Sequence, residues 1–241
     1  MQKLNQIILT ALLLAFMAAC SSNQEEAPTM SGEPTIVAKW NIDNSDLYMS
    51  FEFNSSNNYV IVQKAPDVAA EARRIYFGNY EVVESYLINL EGFGTMIISD
   101  MSTSSINFSI RVFGDSESQI VLDATRQEDL ANSERTEMLN KTWRVVTLNG
   151  VDVSGTGDQL TVMWSKAGTY LVSNQQGATM LAQWKWKNAE ETEFLYTFYE
   201  VPVWNDEDFV RIEELSENYV RVVEDVDGEI ESWELEPLIT N

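Results

Sequence analysis

The chain has 241 residues, with 15 basic and 38 acidic side chains, no histidine and a formal charge of −23. That balance argues against nucleic acid, whose affinity comes from Lys and Arg on phosphates, and against peripheral binding to anionic lipid. The lack of histidine removes Ser-His-Asp and Cys-His catalysis, histidine-based zinc sites and a histidine general base, and a single cysteine allows no internal disulfide framework.

In chain order, the first segment reads as an export signal. MQKLNQ carries one charge, Lys3; Ile7 to Met17 is apolar apart from Thr10; Ala18, Ala19 and Cys20 follow, then the polar SSNQEEAPTMSGEP. A short positive region, a brief apolar run and small residues before a cut site define a secretory signal peptide, here residues 1–19. The run is too short for a spanning helix, which needs about 20 apolar residues. Met17-Ala18-Ala19-Cys20 resembles a bacterial lipobox, with Met17 where leucine is usual. That resemblance implies cleavage before Cys20 and lipidation of its thiol, and so a membrane partner reached through the anchor. Each buried methylene of an acyl chain contributes about 0.8 kcal/mol to membrane attachment. The mature chain would carry 14 basic and 38 acidic side chains, a charge of −24.

Residues 20–35 read as a lipid-anchored polar tether. Ser21 stands where an aspartate would retain a Gram-negative lipoprotein at the inner membrane, so the resemblance implies the outer membrane. Gln24-Glu25-Glu26 resembles the acidic tag that sends Bacteroidetes lipoproteins to the cell surface; a plain polar tether explains it equally. The expected location is the outer membrane, on its periplasmic face or at the cell surface.

From Ile36 the pattern turns to period two, the signature of half-buried strands. In LYMSFEF, Leu47, Met49, Phe51 and Phe53 alternate with polar or smaller residues, and in INFSIRV so do Ile106, Phe108, Ile110 and Val112. APDVAAEARR (65–74) is the best short-helix candidate of this half. The first β-domain is expected over 36–124. Residues 125–137 form a charged linker with helical content, opened by Thr125-x-x-Glu128 as a capping box. The second β-domain is expected over 138–238, with hairpins turning at Asn149-Gly150 and Asp227-Gly228.

The halves overlay. Trp40 and Trp143 each open a β region; Phe53-x₅-Tyr59 answers Trp164-x₅-Tyr170; IISDMS (97–102) answers RIEELS (211–216). A hairpin rhythm common to β proteins is the competing explanation. In the second half, Trp143, the hairpin from Trp164 to Tyr170 and the Ile212-to-Ser216 turn resemble the lipocalin-like domains of Bacteroidetes lipoproteins. The first half resembles them more faintly, and neither half has the glycine that usually precedes the first tryptophan. The resemblance implies an all-β fold: two tandem small antiparallel lipocalin-like β-barrels after the signal peptide and tether.

Candidate ligand-binding residues follow from the MLAQWKW strand. Trp184 and Trp186 share one face with Ala182, and Tyr170 begins the neighbouring return strand. They line an apolar pocket or they fill the core; an eight-stranded barrel is just wide enough for side chains, which favours filling. The acidic loop 204–208 and Asp225-x-Asp227-Gly228 offer carboxylates for calcium. The second is explained by its turn, and no metal or cofactor is expected. No motif singles out a carboxylate pair for glycoside hydrolysis. The expected function is a non-catalytic structural or interaction module with envelope-protein partners. The alternative is a carrier or binding module for a small apolar ligand or a glycan.

Overall fold

The computed structural model describes residues 34–64, 73–114, 119–130, 132–198 and 202–238. Eight strands form the first half: β1 (Lys39–Ile42), β2 (Tyr48–Phe53), β3 (Asn58–Lys64), β4 (Arg73–Glu84), β5 (Leu87–Leu90), β6 (Gly94–Met101), β7 (Ser105–Val112) and β8 (Ile120–Arg126). Each pairs antiparallel with the next, and β8 closes on β1 with Trp40 opposite Arg126 and Ile42 opposite Ala124. Closure leaves no edge strand with unpaired backbone groups. The apolar faces fill the inside: Trp40, Phe51, Leu90, Met96 and Phe108 are fully buried.

The second half opens with a short helix, α1 (Glu134–Leu139), followed by β9 (Thr142–Leu148), β10 (Val151–Asp152), β11 (Leu160–Trp164), β12 (Thr169–Asn174), β13 (Thr179–Trp186), β14 (Glu193–Thr197), β15 (Val210–Ser216), β16 (Tyr219–Val226) and β17 (Glu229–Pro237). Here β9 pairs with β11 on one side and with β17 on the other, which closes a second antiparallel barrel; β10 extends the β9 hairpin. Both expected hairpin turns form. Asn149 and Gly150 have φ of 50° and 76°, and Asp227 and Gly228 have 55° and 87°, the left-handed pair that type I′ turns require. The fold is therefore all-β, built from two tandem eight-stranded barrels.

Three local expectations change. The alternation in 47–53 breaks at a β-bulge between Tyr48 and Ser50. A bulge inserts one residue and flips the faces beyond it, so Tyr48 turns inward beside Phe51 while Met49 points out. The proposed cap at Thr125 belongs instead to β8, where Thr125 pairs with Ser105 and donates to Asp43 Oδ2 at 2.8 Å. Strand pairing outweighs the local cap signal there. The helix starts later, at Ser133, whose side chain accepts the Thr136 N–H at 2.9 Å. A six-residue helix is unstable alone; buried Thr136 and Leu139 hold this one on the barrel end. The helix expected over 65–74 lies mostly outside the described residues, and its last two, Arg73 and Arg74, begin β4.

The repeat persists down to single hydrogen bonds. Trp40 Nε1 donates to the Ile36 carbonyl at 2.9 Å, and Trp143 Nε1 to that of Leu139 at 3.1 Å. The β2–β3 turn closes with Asn54 N–H on the Asn58 carbonyl and the β11–β12 turn with Ser165 N–H on that of Thr169, at 3.0 and 2.9 Å. Asn57 and Gly168 supply the left-handed residue of each, with φ of 58° and 79°. A side chain of the next strand then ties down each turn: Tyr80 Oη donates to the Asn54 carbonyl and Trp184 Nε1 to the Ser165 carbonyl, at 3.0 and 2.9 Å. Both barrels also carry a bulge at matching places, Ile98/Asp100 and Ile212/Glu214. A shared hairpin rhythm does not require these coincidences; an internal repeat does.

The barrels pack directly on each other. Val60 and Val62 of β3 meet Met163 and Leu171 of the second barrel, flanked by Met49, Phe77 and Leu181. Removing each such aliphatic side chain from water contributes about 1.5–3 kcal/mol. Polar bonds run along the same seam. Asn54 Nδ2 donates to Thr142 Oγ1 at 2.8 Å and Gln127 Nε2 to the Ala167 carbonyl at 2.6 Å. Lys39 Nζ donates to Thr169 Oγ1 at 3.1 Å, and that hydroxyl donates to the buried Glu52 carboxylate at 2.6 Å. The described residues between 34 and 238 thus form one compact unit.

Candidate functional site

Strand β13 sends alternate side chains inward, Trp184 and Trp186 among them. Trp184 is 1% exposed. Its ring meets Trp186 edge-to-face at 5.2 Å and Phe194 at 6.0 Å. Trp186 is half-buried, and its Nε1 donates to Thr136 Oγ1 at 2.8 Å, so it fastens α1 over that end of the barrel. Tyr170 stacks on Trp164 at 5.5 Å with a 16° interplanar angle and abuts Phe194 and Tyr196 edge-to-face. These rings contact one another, and Tyr170 also borders a small gap of about 10 Å³. The three residues singled out from the sequence do meet in one interior, as a close-packed aromatic stack. Cys20, the expected lipidation site, lies outside the described residues.

The opposite face of β13 handles the acidic loop. Lys185 Nζ sits 4.6 Å from the Trp204 ring centroid, and Lys187 Nζ 3.2 Å from that of Phe209. These cation–π contacts lay residues 204–209 against the outside of the barrel. Within the loop, Asn205 Nδ2 donates to Asp208 Oδ2 at 2.7 Å. Among the described residues, no cluster of three or more Asp, Glu, Cys or His side chains is placed to hold a metal. Nor is any helix among them long and apolar enough to cross a membrane.

The end of the second barrel away from α1 carries a feature the sequence reading missed. Glu224 on β16 stands directly opposite Glu231 on β17. Both occupy the inward register continued from Val222 and Trp233. Tyr196 Oη donates to Glu224 Oε1 at 2.8 Å. Burial holds the Glu224 carboxyl above the usual carboxylate range; the Tyr196 bond pulls it back, and the Glu231 and Asp208 charges push it further up. Burial, the Glu224 bond and the surrounding carboxylates raise the Tyr196 phenol. Burial, with Tyr196 and Glu224 nearby, raises that of Tyr170. Tyr170, Val210, Val222, Glu224, Glu231 and Trp233 line a partly open gap of about 10 Å³. The signal was present in the sequence: in VRVVEDV, Glu224 continues the alternation of Val220 and Val222.

Two clefts of about 190 and 330 Å³ flank the Lys39–Thr169–Glu52 link between the barrels. Charged groups beside the second are already paired: Arg126 with Asp129 at 3.3 Å, and Lys166 with Glu137. No known family pattern matches the chain, and comparison with curated proteins finds no similar sequence.

Proposed function

We propose that the protein is a non-catalytic lipoprotein of the outer membrane, held by a lipid on Cys20 and working through its outer surfaces as a structural or interaction module. The observation that carries this reading is the filling of both barrels. The first is packed around Trp40, Phe51, Phe93 and Phe108, the second around Trp143, Trp164, Trp184 and Phe194. A carrier of apolar ligands needs an enclosed apolar space of several hundred Å³, whereas a gap beside Tyr170 and Trp233 in the second barrel measures about 10 Å³. The seam between the barrels supports the same reading, since it joins them in one compact unit. The signal-peptide pattern, the lipobox-like MAAC and the resemblance to Bacteroidetes lipocalin-like lipoproteins support the location.

The test has two arms. Cys20→Ala should abolish labelling by radioactive palmitate and release the protein from the membrane fraction; retained labelling overturns the anchor. Titrating a long-chain fatty acid into the protein should leave tryptophan fluorescence without a saturable change. A saturable change would return the carrier reading.

A further inference from the structure

We propose that the mouth of the second barrel binds the head group of a primary alkylamine, held between Glu224 and Glu231 against Tyr170 and Trp233. The site goes beyond the function proposed above and does not rest on it.

Two carboxylates stand directly opposite each other across β16 and β17. Like charges so placed repel. The charged groups that act on Glu224 are themselves acids, Glu231 and Asp208. A cation between the two glutamates resolves that repulsion. A second observation points to a ligand independently of the acids. Tyr170 is 7% exposed and borders the gap, and its hydroxyl bonds no other described residue and is not among the fully buried polar atoms, so it is open to solvent. Tyr196, by contrast, is committed to Glu224.

The acceptors match an ammonium group. An R–NH₃⁺ head carries three N–H donors and no acceptor. Glu224, Glu231 and the Tyr170 hydroxyl oxygen offer one acceptor each. Trp233 lines the same gap and presents the ring type that attracts cations best. Size selects among cations. The gap of about 10 Å³ is close to one water-sized sphere, which admits an ammonium head and rejects a quaternary one. Val226, two residues beyond Glu224 on the same face and 40% exposed, gives the alkyl tail an apolar rim.

The first barrel supplies an internal control. With Ser102 and Ser216 aligned, Ile110, Ile120 and Leu122 take the places of Glu224, Glu231 and Trp233. Tyr59, the counterpart of Tyr170, donates its hydroxyl to the Glu91 carbonyl at 2.7 Å. The polar mouth belongs to one copy of the repeat.

The experiment titrates n-butylamine into the full chain at pH 8 and constant ionic strength, read by calorimetry and tryptophan fluorescence. We expect one saturable site, with no such response to n-butanol or tetramethylammonium. Glu224→Gln and Glu231→Gln should each weaken binding at least tenfold, and Tyr170→Phe several-fold, while Tyr59→Phe changes nothing. Gln is isosteric with Glu, and unchanged circular dichroism will show that each variant folds. The proposal is overturned by an absent butylamine response, by equal binding of butanol or tetramethylammonium, or by full affinity in the Glu224→Gln/Glu231→Gln double variant. Calcium saturating the site where butylamine does not would overturn it too.

Discussion

Ile110 and Ile120 finish the first barrel where Glu224 and Glu231 finish the second. At the same end, Phe93 on the tight β5–β6 turn folds into the first barrel, edge-to-face with Tyr76 at 5.0 Å and Phe51 at 6.4 Å. The connection from β14 to β15 is longer, and its Trp204 and Phe209 lie against Lys185 and Lys187. The opposite ends of the two barrels agree bond for bond, from the tryptophan at each entrance to the side chain that ties down each first hairpin. The difference teaches where a duplicated barrel is free to change. The end that fixes the first turns is held to one pattern; the other end tolerates a plug in one copy and a polar mouth in the other.

The largest effects should come from breaking what the copies share. Trp184→Ala removes a buried ring and a hydrogen bond to the Ser165 carbonyl, and should cost about 3–5 kcal/mol. Tyr80→Ala, its counterpart, should cost a comparable amount. Urea unfolding measures both, and a loss below about 1 kcal/mol at either site would break the equivalence.

The next effect concerns the seam. Leu171 is fully buried against the first barrel, and Leu171→Ala should cost about 2–5 kcal/mol. Differential scanning calorimetry should show one transition in the parent and two in the variant, as the barrels lose their mutual support. Two transitions already present in the parent would mean that the seam does not couple them.

The smallest effect sharpens the difference. Glu224→Ile puts the first barrel's residue into the second and should stabilise it by about 1 kcal/mol near neutral pH. Glu224→Gln gives the pH dependence. The folded-state pKa of Glu224 is raised, so the protonated form is the one the fold favours. Its stabilising contribution is full below the unfolded carboxylate pKa and is lost as pH rises through the folded value. The Gln variant should therefore exceed the parent in urea midpoint at pH 8 and match it near pH 4. An advantage that grows as pH falls would assign the effect to something other than this carboxyl.

The strand pattern was legible because alternation reports burial directly. INFSIRV places Ile106, Phe108 and Ile110 inside, as read, and both Asx-Gly turns fall where expected. Alternation fails where a bulge adds a residue, as at Tyr48–Ser50, because nothing local marks the insertion. It is also blind to a second partner: β3 is buried on both faces because one faces the other barrel. Thr125 was misread since a β-branched residue before an acid fits both a cap and a closing strand. Trp184, Trp186 and Tyr170 were placed inside correctly. Glu224 and Glu231 escaped notice because, among 38 acids, an inward carboxylate is visible only through its register.

Every strand of the first barrel precedes every strand of the second. A chain that emerges N-terminus first, from a ribosome or an export channel, can join β8 to β1 before β9 has appeared. Until the second forms, however, Val60 and Val62 of β3 face water. A first barrel closed on its own would expose that flank, the surface on which Met163 and Leu171 rest in the folded protein. If folding follows the order of emergence, the first copy would offer the second a surface to fold against, and β11 and β12 are the strands that would cover it.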